Sequence, residues 1–530
     1  MLTPRALQRI LVFDVTLGLS FGLATSSCMV FDRQIPECTS HRQCTDRLTQ
    51  AAGSAAEIRG HCVQPEGRCV KLLSADCQVV TGDPAADDSI LLGSLLTSDS
   101  LTQQQSAILA IEEINSTFGG GGIPRAANAG PPRPLAMLSC IESTIDPLPA
   151  ARHLIEDLRV PAVVGPNLDE HTLDLTNRVA ATGNTVMMSP TSLTDDLGRL
   201  IDNNLTWRDT PSGAQIAPLT FATYVELERQ LRQSHPNLTL GMVYRDDAFG
   251  QNARSQISMR APFNGKPLSD QTNAAFVRFS KYAPGAAESE LAAVAREYQA
   301  DPPDFVMLIG GAESITGFMK PFEVGLGRTA GPGAPTGKPT YMLFATSKLT
   351  ELLDLVDPAK TPDVPPDLRA RIRGIGLTIP PSSQSVYDEF GVAFAARYGV
   401  NPNSSGMGQA YDAIYAFAFA LAATVDQLPG GIAVADGLTR ISMGNGAATS
   451  VGLLNARQTL SRLATGDAPR VIGTFGDLRW DARGDYVSGR AEVWCIGLSG
   501  GTPYFASANV SMDIELQRIT GTFTPCPVGP

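Results

Sequence analysis

Apolar runs and amphipathic segments alternate along most of the chain after Ser89. Residues 90–96 form a short run with little polar alternation, which is typical of a strand covered on both faces. In the segment that follows, Ile108, Ile111 and Ile114 recur at a spacing that places them on one face of a helix. Strands and helices continue to alternate in this way to about residue 188, which predicts a parallel sheet covered by helices.

The same pattern starts again after residues 210–213. Predicted strands lie at 90–96, 135–138, 162–164 and 185–188 in the first half, and at 240–244, 275–279, 305–309 and 341–344 in the second. Three more helices are predicted at 387–397, 409–425 and 448–463, and the Gly/Pro-rich residues 325–339 predict a loop insertion. The fold class is therefore α/β, with two doubly wound parallel-sheet lobes.

The first residues have the features of an export signal. Arg5 and Arg9 precede an apolar run at 10–24, and small residues then lead to Cys28. We predict a signal peptide at 1–28 of the lipoprotein type, with Cys28 as the lipidated residue. An ordinary cleaved signal with Cys28 left unmodified is the alternative. No later apolar segment is long enough to span a membrane.

Cysteine usage indicates an oxidising compartment. The chain has nine cysteines, so setting Cys28 aside leaves an even number for disulfides. Five of the remaining eight lie in a polar stretch with almost no strand or helix period, which predicts a small disulfide-stabilised module at 29–86. We predict the pairs Cys77 with Cys140 and Cys495 with Cys526, with the other four pairing among themselves. Zinc is disfavoured because no C-x2-C pair occurs.

Composition narrows the possible partners and chemistry. The chain of 530 residues carries 53 acidic and 41 basic side chains, which disfavours nucleic acid or an anionic surface as the main partner. Residues 497–501 match G-x-S-x-G, but a proline follows closely and the last histidine is His235. A hydrolase needs a helix after that serine and a later histidine. No enzyme activity, cofactor or metal is therefore predicted.

A series of short motifs resembles one family in order and spacing. These are 90–94 (ILLGS), 110–115 (AIEEIN), 163–166 (VVGP), 188–190 (MSP), 207–212 (WRDTPS), 243–250 (VYRDDAFG), 410–413 (AYDA) and 475–484 (FGDLRWDARG). Together they resemble the branched-chain amino acid binding receptors of ABC transporters, which have the type I periplasmic-binding-protein fold. The resemblance implies two lobes joined by crossover hinge strands, with lobe I at 87–209 and 382–470 and lobe II at 210–381 and 471–530.

The resemblance also implies a ligand site between the lobes. The residues at matching positions are Ser98, Asp99, Asn167, Asp169, Ser189, Thr191 and Ser192 in the first lobe, and Asp247, Phe249, Gly311 and Glu313 in the second. In the family, a hydroxyl four residues after the glycine of the Gly-Pro loop holds the ligand carboxylate, whereas this chain has Asp169 there. An aromatic residue covers the ligand, here Phe249, and an acidic residue holds its ammonium group, here Glu313.

Asp169 changes the expected ligand. A carboxylate that faces a buried ligand carboxylate would be repelled, so we predict a ligand that is neutral or cationic on its first-lobe side, such as an amide, an amine or a polyol. The alternative is that Asp169 caps the helix predicted from residue 171. Glu313 has a similar alternative, since it stands at the start of a predicted helix.

The resulting interpretation is an exported solute-binding protein, held at the membrane only by a lipid anchor, that presents a small polar molecule to an ABC permease. A surface sensor or partner-binding protein of the same fold is the second interpretation. The Cys-rich segment and the insertion at 325–339 favour it, because transport requires neither.

Overall fold

The computed structural model describes residues 36–53, 56–126, 129–328, 337–402 and 406–527. The predicted signal at 1–28, with Cys28, lies outside these ranges. The predicted loop insertion at 325–339 is only partly described, and its first residues are helical, since a helix covers Lys320–Arg328. No helix in the described ranges has the length and hydropathy needed to cross a bilayer.

The first sheet has six strands. In spatial order they are Cys77–Thr81, Leu135–Ile141, Ile90–Leu96, Ala162–Val164, Val186–Ser189 and Thr206–Arg208. Only the edge strand Cys77–Thr81 is antiparallel to its neighbour; the other pairs are parallel. Every residue of Ile90–Leu96 is buried, as expected for a strand with helices on both sides.

The second sheet has eight strands. Their spatial order is Val277–Tyr282, Leu240–Arg245, Phe305–Ile309, Thr340–Leu343, Ile372–Thr378, Arg490–Ser499, Thr502–Asp513 and Arg518–Gly521. The first five are parallel to one another, and the last three are antiparallel. The predicted fold class is confirmed, and the second sheet has an antiparallel extension beyond its five parallel strands.

Helices cover the faces of both sheets. In the first lobe they are Leu101–Asn115, Leu148–Arg152, Asp169–Leu175, Gln384–Tyr398, Met407–Ala423, Gly431–Ser442 and Leu453–Ala464. In the second lobe they are Gly213–Leu231, Ala248–Arg260, Glu288–Ala300, Ala312–Ser314, Lys320–Arg328 and Thr350–Val356. π-helical turns continue three of them, at His153–Asp157, Thr176–Ala180 and Ile315–Met319.

The core of the first lobe forms around one apolar helix. All residues from Met407 to Ala422 are buried, because other helices surround Met407–Ala423 on several sides. Trp480 is buried in the same core and Trp494 in a core of the second lobe.

The chain passes between the lobes three times, and the third passage follows Tyr486. Val471, Leu478, Trp480 and Tyr486 are all buried in the core of the first lobe. The strand Pro469–Ile472 also pairs with Gly446–Ser450 there. The domain boundary at residue 471 stays a prediction, and these contacts place the chain in the second lobe only from about Arg490 onward, where the long strand begins.

The Cys-rich module contains more regular structure than its sequence indicates. A helix covers His41–Ala51, and strands Gly60–Val63 and Arg68–Lys71 pair antiparallel. The prediction of almost no helix or strand was wrong, because the buried face of this helix consists of His41, Cys44 and Thr45 and so gives no apolar period.

Four disulfides join the eight described cysteines. They are Cys38–Cys62, Cys44–Cys69, Cys77–Cys140 and Cys495–Cys526. Both predicted pairs are confirmed, and the remaining four cysteines pair among themselves as expected. Cys77–Cys140 crosslinks the two antiparallel strands at the edge of the first sheet.

Candidate functional site

A cavity of about 510 Å³ lies between the two lobes. It is bounded by the segments that follow strands of both sheets at their carboxyl ends, which is where open α/β sheets bind ligands. Thr97, Asp99 and Asn167 line it from the first lobe, and Asp247 and Gly311 line it from the second. Its volume lies in the range of small-molecule sites.

The first-lobe wall is a network of polar side chains centred on Asn167. The Nδ2 of Asn167 donates to Oγ of Ser100 at 2.7 Å and to Oγ1 of Thr97 at 3.3 Å. The Oγ1 of Thr191 donates to the carbonyl of Asn167 at 2.9 Å. The loops after three neighbouring strands are therefore bonded to one another before any ligand enters.

The buried carboxylate of Glu142 fixes the loop that carries Asn167. Its carboxylate accepts hydrogen bonds from the backbone N–H groups of Asn167 and Leu168, at 2.6 and 3.1 Å. Its third partner is Nδ1 of His171, at 2.8 Å. Burial raises the pKa of Glu142 above its ordinary value. Burial lowers the pKa of His171, but Glu142 outweighs that effect and leaves it raised.

Asp169 is buried, and its carboxylate is used within the first lobe. Its Oδ1 accepts hydrogen bonds from Oγ of Ser192 and from the backbone N–H groups of Leu193 and Thr194. Burial raises the pKa of Asp169 to about 6. The side chain therefore fixes the loop after strand Val186–Ser189.

The second-lobe wall contains a cluster of paired charges. Arg245 forms ion pairs with Asp247 and Glu313. Glu313 also accepts hydrogen bonds from the hydroxyl of Tyr282 at 2.8 Å and the N–H of Gly311 at 3.0 Å. Burial lowers the pKa of Arg245, but the two carboxylates outweigh that effect and hold it above its ordinary value. The second cation of this wall, Lys348, forms an ion pair of 3.2 Å with Glu492.

Aromatic rings line the cavity from both lobes. Tyr387 and Phe475 meet edge to face, with centroids 5.6 Å apart, and both lie on the first-lobe side. Phe249 and Phe505 lie on the second-lobe side. Phe249 packs edge to face against Phe344, with centroids 6.2 Å apart. A carbon skeleton in the cavity would contact these rings.

Side chains that could bind a metal ion come close together at one place in the described ranges. Within the described ranges, the one group of three possible ligands close enough to share an ion is Cys38, Cys44 and Cys69. Each of these sulfurs is in a disulfide.

Comparison with solved structures identifies the fold. A leucine-binding protein of Thermotoga maritima is 13% identical and superposes with a TM-score of 0.52, covering 79% of this chain and 98% of its own. A solute-binding protein of an ABC transporter from R. palustris, in complex with benzoate, is 13% identical with a TM-score of 0.52, covering 82% and 98%. The chain has the type I periplasmic-binding-protein fold. Both neighbours are described as binding proteins and neither as an enzyme. No known family model matches the chain, and no curated protein does.

Most of the site residues predicted from the resemblance lie along the cavity. Those that line it are Asp99, Asn167, Asp169, Thr191, Asp247, Phe249, Gly311 and Glu313. Ser189 and Ser192 are buried behind the wall, where Oγ of Ser189 donates to the carbonyl of Pro166 at 2.6 Å. Ser98 is exposed and does not line the cavity.

The structure shows which groups the carboxylates of Asp169 and Glu313 contact. Asp169 is the first residue of helix Asp169–Leu175, and its side chain bonds to the 192–194 loop rather than capping the helix. Glu313 is likewise in the first turn of its helix, and its carboxylate accepts from Gly311 and pairs with Arg245. Both carboxylates therefore have partners within the protein.

Several lining residues were missed by sequence reasoning. They are Ser100, Gln103, Arg245, Lys348, Tyr387, Gln409, Phe475 and Phe505. Arg245 and Phe475 stand inside the motifs that carried the resemblance, so their positions could have been read from it. Gln409 gave a different signal, because it is a polar residue at the start of an otherwise apolar helix.

Proposed function

We propose that this protein is an exported solute-binding protein, which captures a small polar ligand between its lobes and presents it to an ABC permease. The observation that carries the proposal is the 510 Å³ cavity bounded by polar loops of both lobes. The type I periplasmic-binding fold supports it, because neighbours of that fold are described as binding leucine or benzoate.

The mechanism is binding coupled to hinge closure, with no chemical step. The first-lobe wall is pre-organised by Asn167, Ser100 and Thr191, so a ligand meets it with little further ordering. Movement of the second lobe then brings Phe249 and its neighbours over the ligand. Lipidation of Cys28 would keep the closed form near the membrane.

Thermal unfolding with and without solutes tests this function. The purified protein is unfolded against amino acids, amides, amines, polyols and aromatic acids. A ligand at about 100 times its dissociation constant adds about 2.7 kcal/mol to the free energy of unfolding. For units of this size that raises Tm by a few degrees. Small-angle scattering on the same samples should show a smaller radius of gyration with the binding solute. A flat Tm across the panel with an unchanged radius would contradict the proposal.

One feature favours the second candidate, a sensor or partner-binding protein. The Cys-rich module is tied to the outer edge of the first sheet by Cys77–Cys140. Arg68 of the module also donates to the carbonyls of Glu156 and Asp157, at 3.0 and 2.8 Å. The module thus presents a fixed surface that solute capture does not require. Pull-down of the membrane fraction separates the candidates: transport predicts capture of a permease, and loss of that capture when the solute is removed.

A further inference from the structure

Gln409 lines the cavity and has a buried amide oxygen with no donor among the described residues. Gln409 is 2% exposed and lines the cavity at the start of helix Met407–Ala423. No residue in the described parts of the chain donates a hydrogen bond to its Oε1. A buried acceptor left in this state destabilises the protein, so a ligand that donates a hydrogen bond there gains that energy on binding.

A second acceptor of the same kind belongs to Asn167. Its Nδ2 is occupied by Ser100 and Thr97, while its Oδ1 is buried and has no donor among the residues that the structure describes. The two amides belong to one continuous wall. Thr191 donates to the carbonyl of Asn167, and its methyl group would lie 2.8 Å from a Cβ added at Gly406, one turn before Gln409.

Among the described residues, the charges around the cavity leave one carboxylate, that of Asp99, without a partner. Arg245 is paired with Asp247 and Glu313, and Lys348 with Glu492. Asp169 accepts three hydrogen bonds from the 192–194 loop. Of the six charged side chains that line the cavity, only Asp99 has no ion pair or hydrogen bond within the described ranges. It stands next to Ser100, on the same wall as Asn167.

We propose that the ligand is an organic cation whose ammonium group binds the first-lobe wall, donating to Oε1 of Gln409 and Oδ1 of Asn167 and facing Asp99. This inference rests on the proposed function and specifies its ligand. An ammonium group carries three donors and no acceptor, so it matches two amide oxygens and a carboxylate. A ligand carboxylate at the same place would face these two amide oxygens and the like charge of Asp99.

The rings of Tyr387 and Phe475 complete the site. Phe475 lies against the start of the Gln409 helix, since a Cβ added at Gly408 would be 2.5 Å from its ring. Tyr387 packs edge to face on Phe475. A cation held at Gln409 therefore has an aromatic surface beside it, for its carbon skeleton or for a cation–π contact.

Ligands that differ in their charged group test whether the site binds a cation or an anion. Benzylamine and benzoate share a ring and differ in the charged group, and 1,4-diaminobutane and leucine extend the comparison. Titration calorimetry on the purified protein should detect benzylamine or 1,4-diaminobutane, with benzoate at least tenfold weaker. Raising the salt concentration should weaken the amine, because the contact with Asp99 is screened.

Variants then locate the site. Gln409→Met keeps the shape of the side chain and removes the acceptor, and Asp99→Asn removes the exposed charge without disturbing the core. Each should weaken the amine at least fivefold, while Asp436→Asn, an exposed acid on helix Gly431–Ser442, should leave it unchanged. If Gln409→Met fails to fold, the affinity of Asp99→Asn for the amine still tests the location of the site.

Three results overturn the inference. If benzoate or leucine binds and the amines do not, the ligand class is wrong while solute capture stands. If the amines bind with the same affinity to wild type and to both variants, they occupy another site. If none of these four compounds binds, the inference also fails, and the wider solute panel then decides whether the proposed function fails with it.

Discussion

The Nδ2 of Asn252 donates a hydrogen bond of 2.9 Å to Oδ2 of Asp195, and this bond joins the two lobes. Asp195 lies in the loop between two strands of the first sheet, and Asn252 lies on helix Ala248–Arg260 of the second lobe. Oδ1 of Asp195 accepts from the N–H of Ala214 at 2.7 Å, which fixes the carboxylate in place. The bond should therefore favour the arrangement in which the lobes are together.

We expect Asn252→Ala to shift the protein toward an open arrangement. Loss of one such bond is worth about 1 kcal/mol, which changes the ratio of closed to open forms about fivefold. Small-angle scattering without ligand should show a larger radius of gyration than wild type. Asn177→Ala, on the outer side of the first lobe, is the control, because Asn177 bonds only to a carbonyl of its own helix. An unchanged radius in Asn252→Ala would mean that this bond does not hold the lobes together.

The stability of the protein should also depend on two buried carboxyl groups, those of Asp209 and Asp412. Asp209 lies where the chain first passes from one lobe to the other. Asp209 is 3% exposed, and neither of its oxygens has a hydrogen-bond partner within the described ranges. Asp412 accepts from the N–H and Oγ1 of Thr474, both at 2.7 Å. Burial raises the pKa of Asp412 to about 7, and burial together with the nearby Asp412 raises the pKa of Asp209.

The sign of the pH effect follows from these shifts. A raised pKa means that the folded protein keeps a proton that the unfolded chain releases, so the free energy of unfolding falls as pH rises from about 4 through about 7. We expect Asp209→Asn to stabilise the protein at pH 8 and to have little effect near pH 4. Urea unfolding at the two pH values measures this. Equal stabilisation at both would argue against titration as the cause.

The sequence predicted the strands better than the site. Ile90–Leu96, Ala162–Val164 and Phe305–Ile309 have the bounds that were predicted, because strands covered on both faces are rich in apolar residues. The hairpin of Arg490–Ser499 with Thr502–Asp513 was not identified from the sequence. Buried and exposed residues largely alternate along Thr502–Asp513, and the turn contains Gly500 and Gly501, a signal that was present in the sequence.

The site depends on contacts that no local pattern contains. Asp169 stands where the family pattern would place a ligand contact, but the loop at 192–194 takes its carboxylate. The pairing of Arg245 with Glu313 joins the ends of two strands that are 68 positions apart in the chain. Such contacts arise from the order of strands in the sheet, which a single sequence does not specify.

Asp169 should be important for the stability of the 192–194 loop. Leu193 of this loop is buried among second-lobe residues, so the loop also contributes to the contact between the lobes. Asp169→Ala leaves three donors without their acceptor, and we expect a loss of about 3 kcal/mol in the free energy of unfolding. Asp196→Ala, an exposed acid on the same loop, should cost less than about 0.5 kcal/mol.

Denaturant unfolding of both variants distinguishes the roles of Asp169. If Asp169→Ala has wild-type stability and loses ligand affinity, its carboxylate contacts the ligand rather than the loop. A loss of stability in Asp169→Ala, with Asp169→Asn close to wild type, would support the structural role. The amide oxygen of Asn can still accept from the three donors.

The disulfide Cys77–Cys140 should couple the Cys-rich module to the stability of the first lobe. It joins Cys77–Thr81 to Leu135–Ile141, and its loop of 63 positions is the longest of the four. Removing both cysteines by substitution with serine should cost about 2–4 kcal/mol, since the unfolded chain gains the freedom that the crosslink removed. The same substitution at Cys495 and Cys526 is the control, because that bond belongs to the second sheet.

Hydrogen exchange on the two double variants measures where stability is lost. With Cys77 and Cys140 replaced, protection should fall in the edge strand Cys77–Thr81 and in the module, while the parallel strands of the second sheet keep theirs. Arg68 still donates to the carbonyls of Glu156 and Asp157, so the module should loosen without fully separating. Unchanged protection at 77–81 would show that strand pairing alone holds this edge of the sheet.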